Sequence, residues 1–260
     1  MSKGKRSGLR VLFAPAISLM NRLKYTTKFL VLAVLAVISI LVVVNSLYVS
    51  LQLVIRTSQH ELQGMRLLPP VSNAIRLLQH HRGRVAAELG GDKTAMQALP
   101  VSDTDVSNAL AVLRTSLPPN LASDPRIQSI NSEWLRINRM GATISVDESF
   151  LAHTRIIRQL MQIMVAIADE YELTLDAAID AYYLIDSVVN KLPMAAEHLG
   201  QIRAYGVAIL ASHSVSLDQK YEMRSLVGQL ESTVEILSEN LEKTARSNPG
   251  VRGQLTASLS

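Results

Sequence analysis

The run Leu77-Leu78-Gln79-His80-His81-Arg82-Gly83-Arg84 brings together residue types that do chemistry. Imidazoles ligate metals and guanidiniums grip planar anions. On a helix, however, adjacent histidines point about 100° apart, so one ion cannot easily take both. No carboxylate lies three or four residues from His80, and the H-E-x-x-H spacing is absent, so no metal site is expected. Two readings stay open: an anion contact through Arg82 or Arg84, or a solvated or inter-subunit face.

A second group is Asp180-Ala181-Tyr182-Tyr183-Leu184-Ile185-Asp186. Asp186 follows Tyr182 by four residues and Tyr183 by three, which places all three on one side of a helix. They form either a pocket for a small polar ligand or, as the simpler alternative, a core tyrosine pair satisfied by neighbouring acids. The acids Asp169, Glu170, Glu172 and Asp176 straddle a helix end and a new N-terminus, where the dipole and capping explain them. No G-x-x-x-x-G-K-[ST], G-x-G-x-x-G or G-x-S-x-G pattern occurs, and the chain has no cysteine. We therefore expect no enzyme, no catalytic residue and no cofactor. The candidate ligand-binding residues are Arg82, Arg84, Tyr182, Tyr183 and Asp186.

The elements that must position these residues read as helix, and the fold class expected is all-α. There is no Asn-Gly or Asp-Gly hairpin signal and no sustained alternation. Breakers at Pro69-Pro70, Gly90-Gly91, Pro118-Pro119, Pro125, Gly141 and Pro249-Gly250 delimit the segments. Over residues 176–212, Ile185, Val188, Leu192, Ala195, Leu199, Ile202, Gly206 and Ile209 alternate at three and four, an a/d seam kinked at Pro193. Residues 216–246 form a helix capped by Ser216, with Leu226, Leu230, Val234, Leu237 and Leu241 on one face. A helix over 146–171, started by Ser145 or Asp147, turns Phe150, Ile157, Leu160, Met164 and Ile167 inward. Shorter helices cover 103–116 and 125–140. Long amphipathic helices with short loops point to an elongated antiparallel bundle.

Residues 1–28 hold seven bases (Lys3, Lys5, Arg6, Arg10, Arg22, Lys24, Lys28) and no acid, whereas the whole chain has a net charge of only +4. The remainder is slightly acidic and carries no basic stripe with stacking aromatics, which excludes a nucleic-acid partner. From Phe29 to Ile55 there is no charge, and about 20 apolar residues suffice to cross a bilayer. The run is too long for a signal peptide and lacks an A-x-A-like cleavage site. The expected organisation is a cytoplasmic tail (1–28), a transmembrane anchor (29–55), a periplasmic helical region (56–250) and the start of a continuation (251–260). The positive-inside rule puts the N-terminus in the cytoplasm of a single-pass protein of the bacterial inner membrane.

Two segments resemble a known group. Leu77 to Gly83, followed by Gly90-Gly91-Asp92, is similar to an "LQxHRG…GD" signature of bacterial membrane sensors. Leu173-Thr174-Leu175-Asp176, with Asp180 to Asp186 and Asn190-Lys191-Leu192-Pro193, resembles their "LxLDxxxDSYYLMDxxxxxLP" segment, departing from it at Ala181 and Ile185. Such regions occur in methyl-accepting chemotaxis proteins and in some membrane-bound diguanylate cyclases. The resemblance implies the N-terminal transmembrane and sensory region of a chemotaxis-type receptor, with a bundle left incomplete before its output domain. It also implies a homodimer that recognises a small molecule or a periplasmic partner protein. The alternatives are the input region of a diguanylate cyclase or histidine kinase, and a helical membrane scaffold binding a partner subunit.

Overall fold

The computed structural model describes residues 14, 18, 21–89, 93–174, 178–212 and 214–259. Lys3, Lys5, Arg6 and Arg10, the pair Gly90-Gly91 with Asp92, and Leu175-Asp176 fall outside the described residues. The chain divides into two units at Ser58 and Gln59. Helix α1 spans Tyr25–Leu89 and carries Pro69 and Pro70 inside it. In the first unit its apolar side chains, among them Phe29, Leu35, Leu41 and Val43, are exposed. Among the described residues this is the one helix long and apolar enough to cross a membrane.

In the second unit α1 is followed by α2 (Lys93–Ser116), the single turn α3 (Pro119–Ala122), α4 (Pro125–Met140) and α5 (Val146–Glu170). No strand occurs among the described residues, in keeping with the all-α expectation. Helix α2 starts ten residues before the predicted 103, and Pro100 lies inside it. Helix α4 begins where expected: Asp124 accepts from the Arg126 amide and Pro125 occupies the first turn, which needs no amide donor. Ser145, not Asp147, caps α5 by accepting from the Glu148 amide.

These helices share one core. Leu68, Val71, Ile75 and Leu78 of α1 meet Val106, Leu110 and Leu113 of α2, Ile127, Ile130, Trp134 and Ile137 of α4, and Ile156, Leu160, Ile163 and Ile167 of α5. Their three- and four-residue spacing puts each set on one helix face, and each full burial contributes about 1.5–3 kcal/mol. The Trp134 indole satisfies its N–H on Ser107 Oγ at 3.0 Å, so the largest ring enters the core without an orphaned donor. Gly64 lets α1 approach Tyr171; a Cβ there would lie 2.8 Å from the ring's Cγ.

After α5 come α6 (Ile179–Asp186), a π-helical turn (Ser187–Lys191), α7 (Leu192–Ser212), α8 (Leu217–Ser247) and α9 (Pro249–Leu259). The single helix predicted over 176–212 is thus interrupted. A π turn holds one more residue than an α turn, and the Leu192 amide bonds back to the Ser187 carbonyl, five residues earlier. It ends two residues before Pro193, where the sequence predicts a kink. The a/d seam is only partly turned inward: Ile185, Ala195, Ile202, Gly206 and Ile209 are half-buried and Val188, Leu192 and Leu199 are exposed, while Val189, Glu197, Gly200 and Ala204 are buried. Helix α8 starts with a capping box in which Ser216 and Gln219 satisfy each other's amides. Of its predicted face Leu226 is buried, Leu230, Leu237 and Leu241 are half-buried, and Val234 is exposed.

Candidate anion-binding site

One turn of α1 places Gln79 and Arg82 on the face that meets α7. Arg82 is only 1% exposed, an unusual position for a permanent charge. Its cation is matched by Glu197 of α7, with Nη1 to Oε1 at 2.6 Å and Nη2 to Oε2 at 3.1 Å. Gln201 donates to Oε1 at 2.7 Å and Gln79 to Oε2 at 3.1 Å. Each carboxylate oxygen therefore takes two donors, filling the four in-plane lone-pair positions of a planar oxyanion. Arg82 Nη1 also donates to Thr154 at 2.8 Å, and Phe150 covers the guanidinium at 5.2 Å. Gly200 makes room for it: a Cβ there would lie 3.0 Å from Nη2. One donor is left over, since the buried Arg82 Nε–H has no acceptor among the described residues.

Outside this buried pair the surface is basic. The His80 imidazole is held below its ordinary pKa, first by burial and then by the positive charges of Arg203, Arg76 and Arg84. Arg203 of α7 lies over Gly83, with Nη2 within 4 Å of where a Cβ would stand, and makes a long 3.5 Å bond to the Gln79 carbonyl. Four cationic or titratable groups thus surround the turn that carries Arg82.

His81 faces the other way, into the core. His153 Nδ1–H donates to the Ser149 carbonyl at 2.7 Å, so its Nε2 accepts from His81 Nδ1–H at 2.8 Å. His81 then uses Nε2–H on Asp103 Oδ1 at 2.6 Å. This inventory makes His153 the neutral member of the pair, with one ring nitrogen donating and the other accepting. Burial, reinforced by the charge on His81 and opposed by the Ser149 bond, brings the His153 pKa down to about 3. The edge of Trp134 closes the stack on His81 at 4.9 Å. Among the described residues no group of three or more His, Asp or Glu side chains is arranged to hold a metal ion.

Two spaces adjoin Arg82 and its partners. A small cavity of about 40 Å³ is lined by Arg82, Ser149, Phe150, Ala204 and Tyr205, among others. A wider groove of about 860 Å³ runs along α5, α7 and α8 past Thr154, Glu197, His198 and Gln201.

The other sequence-predicted residues stand on α1 and α6. Arg84 is half-buried on α1. Tyr182 and Tyr183 form a T-shaped pair at 5.3 Å, with Tyr182 exposed and Tyr183 under the Lys243 ammonium at 5.0 Å. Asp186 accepts from Asn190 at 2.9 Å and from Asn240 of α8 at 2.8 Å, so it fastens α6 to α8. Asp180 repeats this with Asn248 at 2.8 Å. The acids that the sequence offers to the tyrosines are taken by asparagines. Sequence reasoning missed Gln79, Thr154, Glu197, Gln201 and Arg203. The available signal was Glu197, Gln201 and the small Gly200 and Ala204 sharing one face of an otherwise apolar helix.

A family model described as nitrate and nitrite sensing (NIT) matches residues 73–255, most of the second unit and all of the residues above. No curated protein and no solved structure matches the chain.

Proposed function

Because the chain belongs to the NIT family, nitrate and nitrite sensing, we propose that it takes up one of these anions between α1 and α7, through Arg82 and Arg203. The matched region is a sensory input domain of a signalling protein. The observation that supports the location is the buried Arg82 guanidinium, with an unused Nε–H, beneath Arg76, His80, Arg84 and Arg203. Guanidinium forks match planar oxyanions in two-point contact, and the surrounding positive potential raises the local concentration of a small anion. Calorimetric titration of the full chain in detergent micelles with sodium nitrate, against sodium chloride, tests the reading. Binding should weaken at least tenfold in Arg203→Ala, whose side chain is exposed and whose loss leaves the fold intact. Equal heats with nitrate and chloride, or an unaffected Arg203→Ala, would reject it.

The protein around this domain is, in our reading, a chemotaxis-type receptor of the inner membrane, with α1 crossing the bilayer once and the helices from Gln59 onward in the periplasm. The bases at Arg22, Lys24 and Lys28 before an apolar run favour that orientation. An alkaline phosphatase fusion after residue 212 should be active; an inactive fusion accessible from the cytoplasm excludes the topology. The outward-facing seam of Val188, Leu192 and Leu199 supports a homodimer, since heptad spacing suits a second helix. A diguanylate cyclase or histidine kinase input region shares every one of these features. A scaffold binding a partner subunit predicts instead a stable hetero-complex on crosslinking and no nitrate heat.

A further inference from the structure

Glu197 is placed where an anionic ligand of Arg82 belongs. Its carboxylate is planar and singly charged, it takes the guanidinium fork on both oxygens, and two amides complete its shell. The geometry is the one a planar oxyanion of similar size would adopt against the same donors. Resting on the reading of this site as an anion sensor, we infer that Glu197 is the protein's own occupant of it, and that nitrate or nitrite binds by exchange for this carboxylate.

Three features make the exchange feasible. First, it conserves charge: one anion replaces another beside Arg82, so no buried cation is left unpaired, the outcome that makes broken buried ion pairs expensive. Second, Glu197 and Gln201 line the groove of about 860 Å³ between α5, α7 and α8, which gives the displaced carboxylate a route to water. Third, a diffusible anion, unlike the tethered carboxylate, is able to turn onto the side of the guanidinium, where the buried Nε–H that Glu197 leaves unused adds a donor. Glu197 stands on α7 and Arg82 on α1, so the exchange replaces a covalently tethered link between the two helices by a diffusible one. That is a differential contact of the kind a ligand needs in order to shift a packing equilibrium. It also sets the sensing threshold, because affinity falls by the fraction of molecules in which the site is free of its internal occupant.

The test is nitrate titration of the full chain in detergent micelles, comparing wild type with Glu197→Gln, Glu197→Asp and Glu231→Gln. Glu197→Gln retains the shape and removes the competing charge, so it should bind nitrate at least tenfold more tightly. Glu197→Asp retains the charge on a shorter arm that cannot hold both nitrogens of the fork, and should bind about threefold more tightly. Glu231, exposed on α8, controls for bulk charge and should leave the affinity as in wild type. If Glu197→Gln unfolds without ligand, recovery of helical circular dichroism on adding nitrate supports the exchange, and otherwise Glu197→Asp decides. Wild type that binds nitrate while neither Glu197 variant binds more tightly overturns the inference and leaves the anion site standing. A tightening shared by Glu231→Gln overturns it too. Absence of nitrate binding in wild type and in every folded variant removes the anion reading itself.

Discussion

On either side of α1 the same helix meets two differently built regions. Towards α2, α4 and α5 it buries Val71, Ile75 and Leu78 among aliphatic side chains that are almost wholly enclosed, with His81 bonded into the core. Towards α7 its contact is polar, Arg82 with Glu197, and the helices beyond are joined by polar contacts as well, Asp186 with Asn240 and Asp180 with Asn248. There a groove stays open, and Leu192 and Leu199 remain exposed. Close-packed apolar surfaces have one good arrangement, whereas a layer held by a few directional contacts can be rearranged by a competitor for those contacts. The first region is a frame, and the second is where a ligand can act.

The sharpest break between the two regions should appear in acid. His153 is buried neutral in the frame with a pKa near 3, against about 6.5 when unfolded. The unfolded chain therefore binds the extra proton first, and stability present above pH 6.5 is lost as the pH falls towards 3. The loss is on the order of 4–5 kcal/mol. Thermal unfolding of the full chain in micelles should show its midpoint dropping from about pH 6.5 downward, and His153→Gln should abolish that onset. Carboxylates that the fold holds below their usual range, Asp124 through Arg126 and Glu133 through Arg136, act in the same direction but at lower pH. A flat profile from pH 7 to 5 would mean that His153 is not the enclosed neutral partner described.

Next in size, Leu160→Ala in the frame should lower unfolding stability by about 2–5 kcal/mol, because a fully enclosed side chain leaves a cavity. Denaturant titration measures it; a loss below 1 kcal/mol would erase the contrast. In the polar layer, Asn240→Ala should cost about 1 kcal/mol, the usual net worth of one hydrogen bond. It should also increase hydrogen exchange in α6 and α8 without touching α4. The smallest effect is expected on the seam. Leu199→Ser should alter the unfolding of the single chain by no more than about 0.5 kcal/mol, since the side chain is 58% exposed. Crosslinking into a dimer should fall sharply in the same variant; an unchanged dimer yield refutes a homodimer built on this seam.

Much of the frame was legible in the residues. Asp124-Pro125 starts α4 at the predicted residue because a side-chain acceptor and a proline suit a first turn whatever surrounds them. Ser216 with Gln219 likewise starts α8. Ile157, Leu160, Met164 and Ile167 went to the core as their spacing requires, whereas Phe150 lies only half-buried, packing on Tyr205 and Arg82. Helix α2 starts before the predicted residue, with Pro100 inside it, because a backbone preference yields to the context around it. The site was half legible. Arg82 stood out by its chemistry, while Tyr182, Tyr183 and Asp186 stood out by clustering, and of these Tyr183 and Asp186 meet α8.

The sequence by itself determined the helices, the apolar span of α1 and the presence of a guanidinium with its neighbours in Gln79-His80-His81-Arg82. These depend on interactions over at most a few residues, which periodicity and capping express directly. Only the tertiary structure decided that Glu197, 115 positions away, closes on Arg82, and that Leu192 and Leu199 of the α7 seam face outward. A helix with apolar residues on more than one face does not declare which face it will bury. In α7 that choice is made by the guanidinium on α1, because an enclosed charge must find its counter-charge, and the side of the helix that carries Glu197 is drawn inward to supply it.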